Sequence, residues 1–123
     1  EHMRKQNRLK DSKRFAEIFD TRQVWADSFL VLKVSPNYGE QSHYGLVASR
    51  KVGNAVVRNT LKRRIREILK DLDVKPGWDI VFVLRKRRVM ASYYQLMSSA
   101  SRLLTRAGLT IAHDRSHSFE EPV

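Results

Sequence analysis

Arg58, Lys62, Arg66 and Lys70 recur at every fourth position, which on a 3.6-residue helix stacks them into one nearly straight basic row. Asn59, Arg63 and Arg64 broaden that row, and Glu67 is the only acid between Ser49 and Lys70. An ordinary solvated helix face mixes its signs, because Glu–Lys pairs four apart support the helix. A row of one sign repels itself and needs a counter-charge from outside. A polyphosphate backbone is the commonest such partner. The chemistry on offer is therefore electrostatic binding of nucleic acid.

Cleavage is a different matter. A protein nuclease needs clustered carboxylates for metal ions, or a His pair for general acid–base work. Here Asp11, Glu17, Asp20, Asp27, Glu40, Glu67, Asp71, Asp73 and Asp79 are scattered, with no metal-binding D-x-D on one element. His43 stands alone at a strand start. His113 and His117 have a helical ligand spacing, but Asp114, Arg115 and Ser116 between them give no helical support. No glycine-rich phosphate loop is present. The expectation is no catalytic and no metal-ligating residue in this chain.

Composition agrees with a binding role. Lys and Arg outnumber Asp and Glu by 24 to 13, for a net charge of +11 and a pI near 10.4. Hydrophobic residues at 41% of 123 positions suit one folded domain rather than a disordered basic tail. No apolar run approaches the roughly 20 residues that span a bilayer, so no membrane partner is expected. With no cysteine there is neither a disulfide framework nor a thiolate zinc site, and a cytoplasmic protein is the economical reading.

The elements that must position the basic row can be read in order. Residues 1–3 look like a cloning remnant ahead of Met3, and the basic lead that follows has no apolar period. Asp11 or Ser12 can cap a first helix whose one face carries Phe15, Ala16, Ile18 and Phe19. Residues 24–35 read as one strand, with Leu30, Leu32 and Val34 on one face and Phe29, Val31 and Lys33 on the other. After the Pro36–Gly39 turn signals, residues 44–49 give a second strand, expected to pair with the first as an antiparallel hairpin. Asn54 is positioned to cap the basic helix, whose core stripe is Leu61, Ile65, Ile68 and Leu69. Residues 78–84 form a near-continuous apolar run, the mark of a buried strand. Four basic residues, 85–88, follow; they suit a second RNA contact and a solvated loop equally. Ser92 with Gln95 makes a capping box for a last helix, and Gly108 sits where a C′ glycine belongs. Residues 110–123 read as a weakly structured tail. The order helix, strand, strand, helix, strand, helix is that of an α/β two-layer sandwich on one small mixed sheet.

The wording of the basic segment is more specific than its charge. Lys51, Gly53, Asn54, Ala55, Val56, Arg58, Asn59, Lys62, Arg63, Arg66 and Glu67 stand in the pattern K-V-G-N-A-V-x-R-N-x-x-K-R-x-x-R-E. This resembles the signature segment, often called the RNR motif, of the bacterial ribonuclease P protein subunit. Thr60 departs from it, because many members carry Arg or Lys there. The resemblance spans residues 7–107, strongly at 49–69.

The resemblance implies one RNA-binding domain over residues 4–109, with a left-handed βαβ crossover where general rules expect a right-handed one. It implies an endoribonuclease whose RNA subunit is the catalyst, using Mg2+ held mainly by that RNA to remove the 5′ leader of precursor tRNA. Arg50, Lys51, Arg58, Lys62, Arg63 and Arg66 would then neutralise phosphates of the catalytic RNA, one protein per RNA. Asn54 and Asn59 would offer amides to phosphates or metal-bound waters. Phe15, Phe19, Leu32 and Tyr44 would line the cleft that holds the leader, since stacking on aromatics is how single-stranded RNA is usually gripped. Two rivals share parts of the pattern. A general RNA-binding ribosomal or ribosome-assembly protein shares the charge without needing the motif or the aromatic helix, and a metal-dependent nuclease would need the acids clustered.

Overall fold

In a computed structural model, residues 8–111 are described. Helix α1 (Ser12–Phe19) starts at Asp11, whose carboxylate accepts from the backbone N–H of Lys13 and Arg14 at 3.0 and 3.3 Å. Strands β1 (Val24–Ala26), β2 (Leu30–Pro36) and β3 (His43–Val47) follow, then a short 3-10 turn (Arg50–Val52). Helix α2 (Ala55–Asp71), strand β4 (Trp78–Leu84) and helix α3 (Tyr93–Arg106) complete the described chain. The α+β class with one small mixed sheet is as the sequence predicts.

Two strand expectations are corrected. The stretch 24–35 is two strands, because the Asp27 carboxylate takes the N–H groups of Phe29 and Leu30 at 2.8 and 2.9 Å and folds the chain into a tight β1–β2 hairpin. The expected pairing of β2 with β3 does not form either. The sheet order is β1-β2-β4-β3, so β4 inserts between them, antiparallel to β2 and parallel to β3. The near-continuous apolar wording of β4 fits that central place.

The main core lies between the sheet and α2 with α3. Leu30, Leu32 and Val34 of β2 and Ile80, Phe82 and Leu84 of β4 meet Leu61, Ile65, Ile68 and Leu69 of α2 and Leu96, Ala100, Leu103 and Leu104 of α3. The α2 stripe is the one its 3.6-residue spacing predicts, and the α3 residues Leu96, Ala100, Leu103 and Leu104 recur with the same period. The caps are also as read. Asn54 Oδ1 accepts from Val57 N–H at 3.0 Å, the Ser92–Gln95 box closes both ways, and Gly108 has φ +76. Thr110 and Ile111, expected in the loose tail, pair with the α2–β4 loop: Thr110 bridges Val74, and Ile111 N–H donates to Asp73 O at 3.0 Å. The rest of the predicted tail, with His113 and His117, lies outside the described residues, as do residues 1–7.

Helix α1 lies on the other face of the sheet, held there by a buried acid. Asp79 is 4% exposed. It accepts from Arg14 Nε at 2.8 Å and Asn37 Nδ2 at 2.8 Å, and His43 Nδ1 lies 3.0 Å away. Arg14 also donates to Pro36 O at 2.9 Å. Burial alone would push the Asp79 carboxyl up, but the bonds from Arg14, Asn37 and His43 outweigh it and hold the group below the usual carboxylate range. The Arg14 pKa is raised, chiefly by its bond to Asp79.

Candidate nucleic-acid interface

Helix α2 packs its aliphatic stripe inward, and the basic row rides along its flank. Asn59 and Arg63 are exposed, while Arg58, Lys62 and Arg66 are half-buried. Among the described residues none of Arg58, Lys62, Arg63 and Arg66 is paired with an acid. The Nε atoms of Arg58 and Arg66 are buried without a hydrogen-bond partner. That is a costly state for a donor on a charged group, and a bound anion would relieve it. The Arg66 pKa is lowered, first by burial and then by the nearby charge of Arg8. Arg8 reaches this place because its segment runs beside β3, where Arg8 bridges Tyr44 and Leu9 N–H donates to Tyr44 O at 2.8 Å.

Not every cation of the segment is free for a ligand. Lys70 pairs with Glu67 at 3.1 Å, and Arg64 donates to Ala91 O at 2.6 Å, which ties α2 to the start of α3. Thr60, the departure from the motif, turns its hydroxyl back to Val56 O at 2.8 Å. Arg50 and Lys51 sit exposed in the 3-10 turn just ahead of the Asn54 cap. Of the run 85–88, Arg85 donates to Asp27 O at 3.1 Å and Arg87 to Ser28 O at 3.2 Å, bracing the β1–β2 turn, while Lys86 and Arg88 are exposed.

The four residues expected in an aromatic cleft are split between two faces. Phe15 and Phe19 lie together on α1, ring centroids 6.4 Å apart. Phe19 is 40% exposed, and Phe15 rests on Gly45, where any Cβ would come within 2.7 Å of its ring. Leu32 is 0% exposed in the core under α2 and α3, so it cannot touch a ligand. Tyr44 also packs against that core, and burial pushes its phenol up to about 12. The face that α1 shares carries Lys33 and Gly45 instead, both in register with Val81. Lys33 Nζ sits 4.2 Å from the Phe19 ring centroid and donates to Phe19 O at 2.7 Å. Strand alternation puts Lys33 opposite Leu32, and that signal suffices to name it. Beyond the start of α1 the face continues into an open groove of about 510 Å³ lined by Arg8, Lys10, Lys13, Arg14, His43 and Asp79, among others.

The arrangement gathers unpaired cations on one side, chemistry suited to a polyanion, and offers exposed aromatic surface with a cation on another. Among the described residues no group of three or more His, Cys, Asp or Glu side chains could hold a metal ion. No helix among them is long and apolar enough to cross a membrane.

Known proteins of this build are similar to it in sequence. The family model described as Ribonuclease P matches residues 3–108. The ribonuclease P protein component of Herpetosiphon aurantiacus is 32% identical over 121 residues, covering 97% of each chain. That of Dehalococcoides mccartyi is 31% identical and covers 96% of this chain and 98% of its own. Among solved structures, the Staphylococcus aureus RNase P protein superposes with a TM-score of 0.74 at 27% identity, over 85% of this chain and 98% of its own. The Thermotoga maritima RNase P protein gives 0.70 at 31%, over 80% and 96%. By the motif on α2, the fold and these matches, the chain belongs to the ribonuclease P protein family.

Proposed function

We propose that this chain is the protein subunit of a ribonuclease P ribonucleoprotein, acting in the cytoplasm on the 5′ ends of precursor tRNA. The observation that carries the reading is the basic row on α2, whose Arg58 and Arg66 keep buried, unpartnered Nε donors. Arg50, Lys51, Arg58, Lys62, Arg63 and Arg66, with Asn59, bind phosphates of the catalytic RNA, one protein per RNA. Asn54 spends its Oδ1 on the helix cap and offers the RNA its amide N–H groups. Phe15 and Phe19 on α1, with Lys33, face the single-stranded leader. Magnesium supplies the attacking-water and leaving-group chemistry when bound to the RNA; the protein holds the two polyanions together by lowering their repulsion.

The test is cleavage of a precursor tRNA at low magnesium by this protein, by a bacterial ribonuclease P RNA, and by the two mixed. Only the mixture is expected to release the leader. Cutting by the protein alone, stopped by a chelator, would move the assignment to a protein nuclease. A silent mixture that still binds RNA tightly would favour a general RNA-binding protein.

The leader face has its own expectation. Phe19→Ala should weaken binding of precursor tRNA to the assembled particle by about fivefold or more, the lower end for removal of one stacking partner, and leave mature tRNA unchanged. Equal weakening of both in a gel-shift titration would take the leader off this face. Phe19 is substantially exposed, so the substitution leaves the core intact.

A further inference from the structure

A second basic feature lies beside the N-terminal end of α2. Between its first turns and the loop joining β4 to α3 is a pocket of about 250 Å³ floored by Val52, Val57, Leu61, Leu84 and Met90. Arg85, Arg87 and Arg88 line the same pocket, and no acidic residue among the described ones does. The volume falls below the roughly 300–1,000 Å³ of sites that bury a drug-sized ligand, so the occupant is a single small ring system rather than a helix or a strand. Apolar walls with a wholly cationic rim suit a group that is flat and apolar on its faces yet arrives attached to phosphates.

We propose that this pocket receives an unpaired nucleobase of the bound RNA. The inference rests on the RNA-binding reading above and adds a base contact to a surface otherwise built for phosphates. Arg87 is held in advance for that role. Its guanidinium lies 4.0 Å from the Phe29 ring centroid, one of its N–H groups is donated to Ser28 O, and its Nε is buried without a partner. Unstacked bases of loops and bulges are gripped in this way, by apolar or guanidinium planes together with a donor to the base edge. Val57 immediately precedes Arg58, so the pocket lies within one helical turn of the first residue of the basic row. The arginines bring the phosphates, and the valines and Met90 take the base.

The experiment uses the full chain and two probes, adenosine 5′-monophosphate and ribose 5-phosphate, which lacks the base. Methyl resonances of Val52, Val57, Leu61, Leu84 and Met90 are followed by NMR. The nucleotide should shift them and the sugar phosphate should not. No shift with the nucleotide, or equal shifts with both, overturns the proposal. In parallel, Met90→Glu, a change at a position 43% exposed, should weaken binding to ribonuclease P RNA by about tenfold, the scale of one base set free. It should also remove the protection of one unpaired base in a chemical footprint while the melting temperature stays put. An unchanged footprint overturns the proposal. The nucleotide titration needs no ribonuclease P RNA, so a parent chain that fails to bind that RNA refutes the functional reading and leaves the pocket to be decided by the methyl shifts.

Discussion

Replacing Arg58 and Arg66 together by alanine is expected to weaken binding to a ribonuclease P RNA by roughly twentyfold at about 0.15 M salt, and to flatten the log–log salt dependence by about 1.4–1.8. Every phosphate no longer neutralised takes about 0.7–0.9 off that slope, and these two arginines are the ones on α2 whose buried Nε atoms lack a partner in the protein. The free protein tolerates the change, because the row repels itself and Arg66 is further disfavoured by burial and by Arg8. Thermal stability should therefore hold or rise slightly while RNA affinity falls. Two controls separate this from general charge removal. Lys70 is paired with Glu67, so Lys70→Ala should change the slope little. Arg64 spends a guanidinium N–H on Ala91 O, so Arg64→Ala should cost fold stability. If binding weakens while the slope stays the same, the Arg58 and Arg66 side chains do not touch phosphate.

The second large effect is on the fold. Asp79→Asn should lower stability near neutral pH by about 2–3 kcal/mol, below the ~3–5 kcal/mol of a fully buried broken pair, because Arg14 keeps a quarter of its side chain in solvent. For a domain of this size that is about 10 °C or more in melting temperature. The pH dependence has a fixed sign. A carboxyl whose folded pKa is depressed contributes stability that is complete above its unfolded value, ordinarily about 4, and is lost as pH falls through the folded value. The gap between parent and variant should thus be widest near pH 7 and shrink on acidification below about 4. Asp27 adds to the acid sensitivity of both proteins. Its carboxyl is pushed up by burial, but bonds from Ser99, the Leu30 and Phe29 N–H groups and Arg102 bring it below the ordinary value. Melts at both pH values decide the point; equal stability at pH 7 would mean that the Arg14–Asp79 pair does not hold α1 on the sheet.

What is legible in the sequence is local. The α2 stripe, the Asn54 cap, the Ser92–Gln95 box and Gly108 each declare themselves within a few residues, because helix periodicity and capping are short-range physics. The motif on α2 carries the family on its own. Strand partnership is not legible, because β2 and β3 look like a hairpin until β4, more than thirty residues beyond the start of β3, takes the place between them. The same non-local fact decides the cleft. Alternation tells which residues of β2 share a face, but not which face α1 covers, and choosing Leu32 over Lys33 puts the expected contact in the core. Asp79 reads as one of several scattered acids, although a charge inside the apolar run WDIVFVL has to be matched by hydrogen-bonding partners. Arg14, Asn37 and His43 are those partners, drawn from three separate segments.

The strand order also bears on aggregation. A four-stranded sheet has two outer ladders of unpaired backbone groups, which invite another chain to add on. Here β1 is only three residues long. The far side of β3 is partly occupied from within, by the pairing of Arg8 and Leu9 with Tyr44. The segment that delivers Arg8 to the basic surface thus also acts as a gatekeeper, putting a charged residue where a neighbour's strand would dock. Clipping the chain after Leu9 would uncover the outer backbone ladder of β3 and remove the charge that guards it.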